Sequence, residues 1–201
     1  MSFKHFKCFN SVKPWIILLS AGIFACTDPS AQTHPPSSAN TSTSAQATPK
    51  YTEDQALPAN TIVDHLLVYK SKRRMQAFAG NILLKEYVIA LGESPIGHKQ
   101  FEGDERTPEG RYTINDRNPN SGYHKNLGIS YPNEQDIAYA QKMGQSAGGD
   151  IKIHGLPNGK GLIGKAHRQF DWTNGCIAVT DEEVDELYRS VKKNAIIDIL
   201  P

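Results

Sequence analysis

Short apolar runs separated by turn residues dominate this chain of 201 residues from position 61 onward. The first three runs span residues 66–69, 75–78 and 82–91, and Lys-Arg or Ala-Gly-Asn segments separate them. Runs of this length between turn-forming residues are typical of strands that pair with their neighbours in sequence. The pattern predicts an antiparallel meander.

The rest of this part of the chain carries weaker strand and loop signals. Residues 111–114 return to strand composition, whereas residues 115–131 are rich in Asn, Pro, Gly and Ser and predict a loop. Residues 151–153 predict a short strand, and residues 195–200 predict a closing one. These segments add further strands to the meander.

Two helices are predicted among the strands. Residues 134–143 form the weaker candidate. The stronger helix begins at Thr180, which has Glu183 at the capping-box spacing, and its apolar face starts at Val184. The domain is therefore expected to be mostly β, with one or two helices at its periphery.

The N-terminus has the pattern of an export signal. Positions 1–13 hold basic residues and no acid, and an apolar run follows over residues 15–25. A run this short cannot cross a bilayer of ~30 Å as a helix, and it is typical of a secretory signal peptide. Its end, Ala25-Cys26, resembles a bacterial lipoprotein processing site. We expect residues 1–25 to be the signal peptide and Cys26 to carry lipid; ordinary cleavage and an uncleaved anchor are the alternatives.

A polar tract follows the signal. Residues 27–60 include five Ser, six Thr, five Pro and six Ala, and no Val, Ile, Phe or Trp. Such a segment buries too little apolar surface to offset the entropy lost on ordering. We expect a disordered tether that holds a domain of residues 61–201 on the order of 30 Å from its anchor.

Charge and cysteine content exclude two classes of protein. The chain has 22 Lys and Arg against 21 Asp and Glu, and a nucleic-acid-binding protein normally shows a marked basic excess. Three cysteines, two of them in the first 26 residues, are too few for a disulfide scaffold. One cysteine, Cys176, is left for the predicted domain.

Cys176 follows the turn dipeptide Asn174-Gly175 and lies four residues before the predicted helix cap at Thr180. It therefore lies at the start of a secondary-structure element and not within one, where a substrate can reach its side chain. An unpaired thiol in an exported protein is exposed to oxidation unless it has a task. The spacing alone leaves two interpretations open, a catalytic nucleophile and a buried free thiol.

A nucleophilic cysteine needs a base, and a histidine distant in sequence is the usual partner. Among seven histidines His154 is favoured, because it ends the predicted strand 151–153 and Gly155 leaves room for substrate. His167, in the loop between the pair, is a candidate pocket residue. The short ligand spacings of a zinc site do not occur, so no bound metal is predicted.

The His154-Gly155 pair, the loop after it and the sequence Thr-Asn-Gly-Cys that ends at Cys176 resemble the active site of the L,D-transpeptidase (YkuD-type) domain of bacterial cell-wall enzymes. Other segments look like upstream signatures of that family: Gly103-Asp104, Thr107-Pro108-Glu109-Gly110 with Tyr112, and residues 128–133. The resemblance covers most of residues 63–200. It implies a YkuD-type β-sandwich or barrel-like fold.

The resemblance also implies a reaction. Cys176 would attack the carbonyl of the third residue of a peptidoglycan stem peptide, where that residue joins a terminal D-alanine. His154, oriented by a backbone carbonyl, would take the thiol proton and return one to the leaving amine. Backbone N–H groups around Gly175 and Cys176 would hold the oxyanion. The thioester would meet an amine of a neighbouring stem, giving a 3→3 cross-link, or water. No metal or cofactor is needed.

Two positions depart from the commonest family pattern. Asn174 stands where many members have His, and Ala178 stands where many have Arg or Asn. A guanidinium at the second position would offer a fork for a substrate carboxylate. Arg168 could substitute for it or be a solvated loop charge. The candidate substrate-binding or oxyanion residues are thus Gly155, Asn174, Gly175, Tyr131 and Arg168.

Three functions remain open from the sequence. The first is a lipid-anchored L,D-transpeptidase of the cell envelope, with roles in cell-wall organisation and cell shape. The second is an L,D-carboxypeptidase or amidase that uses water as the acceptor. The third is a catalytically silent lipoprotein that binds the wall. Each has peptidoglycan as its partner and reaches a membrane through its N-terminal lipid.

Overall fold

The structure, a computed structural model, describes residues 48–201. The predicted signal peptide, the lipidation site Cys26 and residues 27–47 of the predicted tether lie outside the described residues. Within residues 48–201, none of the helices has both the length and the apolar character needed to cross a membrane.

The described residues form one curled sheet and three helical segments. The strands are β1 (Val63–Tyr69), β2 (Arg74–Ala79), β3 (Ile82–Val88), β4 (Gly110–Ser121), β5 (His124–Ile129), β6 (Lys152–His154), β7 (Ile177–Ala178) and β8 (Val191–Leu200). The helical segments are α1 (Glu134–Lys142), a 3₁₀ segment (Gly161–Gln169) and α2 (Asp181–Ser190). The prediction of a mostly β domain with peripheral helices is confirmed.

The predicted meander is present as β1, β2 and β3, which pair antiparallel in sequence order. The full strand order is β3-β2-β1-β8-β4-β5-β6-β7. Strand β8 lies parallel to β1 and antiparallel to β4, so the last strand of the chain joins the meander to the half that carries His154. This strand begins four residues earlier than predicted, because Val191 already pairs with Val63.

The two edges of the sheet meet. Beyond β3, Ala90 exchanges backbone hydrogen bonds of 3.0 and 2.9 Å with Ala178 in β7. Gly92 forms a bridge with Thr173 two residues further on. Because β3 and β7 are the outermost strands, these bonds curl the sheet into a half-barrel and bring the end of the meander beside the cysteine.

Residues 115–131 were expected to be a loop, and that prediction was wrong. Strand β4 continues to Ser121, and β5 pairs with it through Arg117 opposite Leu127 and Asn118 opposite Asn126. Backbone ladders bond regardless of side-chain polarity, and the polar residues of this hairpin line an open cavity instead of a core. Composition alone therefore concealed a hairpin that forms one wall of the site.

Part of the predicted tether packs on the domain. The N–H groups of Lys50 and Tyr51 donate to carbonyl oxygens of β3 at 3.1 and 2.8 Å. Leu57 is 2% exposed and joins the core, and its N–H donates to the Glu186 carboxylate at 2.7 Å. Residues 50–57, here called the strap, are held because this stretch contains the one Tyr and the one Leu of an otherwise polar tract.

Helix α2 follows its prediction. Thr180 caps its N-terminus by accepting the Glu183 N–H, and the Glu183 carboxylate accepts the Thr180 N–H in return. Val184 and Leu187 are fully buried on its inner face. The N-cap of the helix thus lies four residues after Cys176, and it fixes the chain that leaves the cysteine.

Candidate active site

Parallel strands β6 and β7 bring the predicted nucleophile and base together. Ile153 lies opposite Ile177, and His154 lies opposite Ala178. Cys176 immediately precedes β7, and alternate residues of a strand share a face, so its side chain falls on the same face as that of His154. Both line one cavity of about 690 Å³.

The His154 ring is fixed by the next residue in the chain. Its Nδ1 lies 2.7 Å from the carbonyl oxygen of Gly155, and because a carbonyl only accepts, Nδ1 carries the proton. Nε2 is then the free base. Tyr123 packs on the ring at 4.6 Å between centroids, and Trp172 meets it edge-on at 5.7 Å. Burial lowers the pKa of His154, so the imidazole is neutral at pH 7.

The Cys176 thiol is also in its neutral form. It is half-buried, and its Sγ lies 3.8 Å from the carbonyl oxygen of Asp150. Burial raises the pKa of the thiol, and a hydrogen bond from the Lys152 backbone only partly opposes that effect. The resting site therefore holds a thiol and an imidazole, and a proton must move when the sulfur attacks.

A tight turn presents the cysteine. Gly175 has a φ of +122°, and a Cβ added there would lie 2.6 Å from the backbone oxygen of Arg106. Only glycine fits this position. The Thr173 hydroxyl accepts the Gly175 N–H at 3.2 Å and donates to the Cys176 carbonyl at 2.8 Å. Thr173 thus ties the turn across Cys176, a role not predicted from the sequence.

Three of the other predicted site residues lie at the site. Asn174 lines the cavity. Gly155 supplies the carbonyl that orients His154, and a Cβ on it would lie 2.5 Å from the Asp181 carboxylate. The N–H of Gly175, expected as an oxyanion donor, is engaged by the Thr173 hydroxyl.

The structure places Tyr131 and Arg168 away from the cavity, so neither is in position to bind substrate. Tyr131 is a core residue, 5% exposed, whose hydroxyl donates to the carbonyl of Ala147 at 3.0 Å. The Arg168 guanidinium is buried between two carboxylates, donating to Glu53 at 2.6 Å and to Glu183. Arg168 is therefore neither a substrate fork nor a solvated charge.

Most of the polar wall of the cavity was not predicted from the sequence. The β4–β5 hairpin contributes Asn118, Ser121, Tyr123 and Asn126 to the cavity lining. Asn126 is 3% exposed and lies directly opposite His154, and its Oδ1 has no hydrogen-bond partner among the described residues. The signal available in the sequence was Gly128, two residues after Asn126: a Cβ added there would lie 2.8 Å from side-chain atoms of Asn115 and Asp116 in β4.

An aromatic pair links the 3₁₀ segment to the site. The Trp172 Nε1–H donates to Nδ1 of His167 at 3.3 Å. His167 is 3% exposed, and burial lowers its pKa to about 4, with the positive charge of Arg168 acting in the same direction. His167 therefore supports Trp172 from behind the cavity as a neutral side chain.

No metal centre is formed in the described part of the chain: residues 48–201 contain no group of three or more His, Cys, Asp or Glu side chains placed to hold an ion. The reactive and charged groups around the cavity are the thiol, the imidazole, two lysines, three carboxylates and backbone N–H groups.

Comparison with known proteins assigns the domain. The chain matches the YkuD family, the L,D-transpeptidase catalytic domain, over residues 63–199. It belongs to that family. The L,D-transpeptidase domain thus extends from β1 to β8, and both cavity walls lie within it.

The relatives of this L,D-transpeptidase domain are distant. YafK of Escherichia coli (strain K12), whose name assigns it provisionally as an L,D-transpeptidase, is 31% identical over 112 residues, which is 54% of this chain and 37% of YafK. The helical cell shape determining protein Pgp2 of Campylobacter jejuni is 27% identical, with a TM-score of 0.51, over 68% of this chain and 47% of Pgp2. A mutant form of Pgp2 is 28% identical, with a TM-score of 0.52, over 69% of this chain and 47% of the Pgp2 chain. The chain therefore spans less than half the length of each.

Ala178, one of the two departures from the common family pattern, is fully buried in this L,D-transpeptidase domain. It lies opposite His154 and is hydrogen-bonded to Ala90 at the closure of the sheet. A long cationic side chain does not fit where this methyl group packs. If a cation serves the site, it comes from another position.

Proposed function

We propose that this domain is a cysteine acyltransferase that remodels peptidoglycan by L,D-transpeptidation. The observation that carries the proposal is the shared face of β6 and β7, which puts the Cys176 thiol and the His154 imidazole in one cavity. Family membership supplies the reaction class. The donor is a tetrapeptide stem whose third residue joins a terminal D-alanine.

Proton transfer accompanies the first step. Because the resting pair is neutral, Nε2 of His154 takes the proton as Sγ of Cys176 bonds to the scissile carbonyl carbon. The tetrahedral intermediate collapses when the imidazolium returns this proton to the nitrogen of D-alanine, which leaves as an amine. The Nδ1–H bond to Gly155 holds the ring throughout and stabilises its charged form.

The oxyanion needs hydrogen-bond donors beside the sulfur. Since the Gly175 N–H is engaged by Thr173, we assign the backbone N–H of Cys176 as a donor to the oxyanion. The turn tied by the Thr173 hydroxyl fixes the direction of that N–H. This N–H group stabilises the oxyanion because it is already in position before the negative charge develops.

The thioester is then attacked by an amine of a second stem, which gives a 3→3 cross-link and regenerates the thiol. His154 accepts a proton from this amine. The cavity of about 690 Å³ falls within the range of ~300–1,000 Å³ typical of small-molecule sites. It therefore has room for the peptide groups that flank the scissile bond.

We also propose that the enzyme acts outside the cytoplasm as a lipoprotein. The basic and apolar pattern of residues 1–25, followed by Cys26, supports export and lipidation. The polar composition of residues 27–47 suits a tether between the lipid and the domain. Mass spectrometry of the protein purified from membranes tests this, since lipidation at Cys26 removes residues 1–25 and adds the mass of the acyl chains.

The activity is tested with purified tetrapeptide muropeptides. Dimers carrying a 3→3 link, together with free D-alanine, support transpeptidation. Tripeptides without dimers indicate an L,D-carboxypeptidase that uses water. Release of stem-linked proteins without trimming of tetrapeptides indicates an amidase. The variant Cys176→Ala is the control, and turnover equal to that of the wild type contradicts the proposed role of the thiol.

A silent wall-binding protein predicts a different result. The wild type then binds muropeptides and leaves them unchanged after long incubation. Intact mass spectrometry separates the two cases, because an active thiol accumulates a covalent acyl adduct on Cys176 when the acceptor is withheld. The Cys176→Ala protein accumulates none.

A further inference from the structure

We propose that Lys152 forms a binding site for the α-carboxylate of the terminal D-amino acid of the donor peptide. This inference rests on the proposed function. It names the group that recognises the free C-terminus of the substrate. Neither the sequence pattern of the family nor the predicted residues pointed to it.

The register of β6 and β7 places Lys152 beside the nucleophile. Ile153 pairs with Ile177, so one step back along both strands Lys152 stands opposite Cys176. Lys152 and His154 alternate with the buried Ile153, and their side chains therefore share the face that carries the thiol. All three residues of this face line the same cavity.

The ammonium group of Lys152 can exchange its present partner for a ligand. Its Nζ contacts the Asp150 carboxylate at 2.7 Å, and the Asp150 side chain is 84% exposed. A pair with so exposed a partner contributes little, because water screens it and the side chains must be ordered. The carboxylate of a ligand can therefore replace Asp150 at a small cost in free energy.

Two other cations, Lys99 and Arg168, are committed to buried carboxylates. Lys99, the second lysine of the cavity lining, is 3% exposed and holds the 5% exposed carboxylate of Asp104 at 2.7 Å. Arg168 is clamped between Glu53 and Glu183. Breaking either pair would leave a buried carboxylate uncompensated. Of the two lysines that line the cavity, Lys152 is therefore the one that can serve the substrate.

The substrate has a carboxylate in the right place. In a terminal D-amino acid, one carbon separates the α-carboxylate from the scissile nitrogen. When the thiol attacks the preceding carbonyl, this carboxylate lies within a few ångströms of the sulfur. Lys152, opposite Cys176 on the neighbouring strand, is within side-chain reach of it. The ammonium also supplies the positive charge that Ala178 cannot.

The acids around the cavity limit which ligand fits. Glu102, Glu105 and Asp150 also line it, so the site is not a general anion trap. A carboxylate is favoured only on the side of Lys152. Recognition of the C-terminus thus depends on one residue, which makes it open to test.

Binding is measured with Cys176→Ala protein, which cannot react. Calorimetry compares a tetrapeptide stem ending in free D-alanine with the same stem ending in its amide. We expect the acid to bind about tenfold more tightly than the amide, as for one charge-assisted hydrogen bond in a partly exposed site. Adding Lys152→Met should abolish most of this preference. Lys152→Arg should retain it.

Lys192→Met is the matched control, because Lys192 is an exposed lysine of β8 outside this cavity. It should leave the acid preference unchanged. Equal affinity for the acid and the amide, no detectable binding of the acid, or a preference that survives Lys152→Met overturns the inference.

This experiment separates the inference from the proposed function. If the reactive protein turns over no stem while Cys176→Ala protein prefers the acid through Lys152, the carboxylate site stands and the proposed function fails. If turnover occurs and the acid preference does not depend on Lys152, the proposed function stands and the carboxylate site fails.

Discussion

The hydroxyl of Thr173 donates a 2.8 Å hydrogen bond to the carbonyl oxygen of Cys176, three residues along the chain. The hydroxyl oxygen of Thr173 in turn accepts the N–H of Gly175 at 3.2 Å. One side chain thus closes the turn that presents the nucleophile. Because Thr173 is 4% exposed, water cannot readily replace these bonds.

Thr173→Val keeps the shape of the side chain and removes both hydrogen bonds. A buried donor and a buried acceptor left unpaired cost about 1–3 kcal/mol each, so the turn should relax and the oxyanion donor should lose its direction. We expect kcat for D-alanine release to fall by about 10-fold or more. Steady-state kinetics measures it. Thr173→Ser keeps the hydroxyl and should stay close to the wild type; equal loss in both variants would assign the effect to packing.

The pH dependence of the site follows from its neutral resting pair. The pKa of His154 is held below its ordinary 6.5, so the imidazole stays an available base when the pH falls to that value. The pKa of Cys176 is held above its ordinary 9.0. We expect kcat/KM to be independent of pH between 6.5 and 9.0. Alkylation of Cys176 by iodoacetamide should accelerate as the pH rises past 9.0.

A preformed thiolate–imidazolium pair would behave in the opposite way. Alkylation would then be fast and nearly independent of pH near neutrality. In His154→Gln the base is lost, so turnover should be negligible while alkylation keeps its rise at alkaline pH. Loss of that rise in His154→Gln would contradict the neutral pair.

His167 should make stability depend on pH. Its pKa in the folded protein is lowered to about 4, against an ordinary value of 6.5. Between these values the unfolded chain binds the proton and the folded one does not, so the free energy of unfolding falls as the pH is lowered through this window. We expect roughly 1–3 kcal/mol from this residue. Urea denaturation across the window measures it.

His167→Gln removes the titrating ring and keeps an acceptor for the Trp172 N–H. Its free energy of unfolding should depend less on pH between 6.5 and about 4 than that of the wild type. An unchanged slope would show that His167 is protonated in the folded state as readily as in the unfolded chain.

The strap should stabilise the 3₁₀ segment behind the cavity through Arg168. Glu53→Gln weakens one of the two ion pairs of the buried Arg168 guanidinium. Because the Glu53 side chain is itself 37% exposed, we expect a loss of about 1 kcal/mol and a fall in Tm of a few degrees. Trp172 fluorescence reports on the segment when Trp15, the other tryptophan, is replaced by Phe. It should become more accessible to quenching in Glu53→Gln.

Asp54→Asn is the control for the strap. Asp54 lies next to Glu53 and loses the same charge, but it contacts only the exposed Lys165 among the described residues. Neither Tm nor Trp172 quenching should change. An equal response in the two variants would attribute the effect to net charge and not to the buried contact with Arg168.

Several features could be predicted because their signals are local. The meander strands alternate short apolar runs with turn residues, and Thr180 and Glu183 have a capping box that forms within four residues. The His154 ring is oriented by the carbonyl group of the next residue, Gly155. In each case the interacting groups are close in sequence.

The features that were missed depend on partners far along the chain. The polar β4–β5 hairpin is held by backbone pairing, which leaves no mark in composition. Arg168 is buried because Glu53, 115 residues away, meets it there. Tyr131 lies in the core because its hydroxyl finds the Ala147 carbonyl.

Taken by itself, the order of residues established a mostly β chain and singled out one cysteine and one histidine, since both follow from short-range pattern and residue chemistry. Which cation stands beside the thiol was decided only when β6 and β7 paired. The folded sheet places Arg168 in a buried ion pair with Glu183 and leaves Lys152 in the lining of the cavity that holds the thiol. Whether a cationic side chain is available to bind substrate depends on which carboxylates the fold brings near it. These contacts join residues far apart in the chain, so no local sequence pattern predicts them.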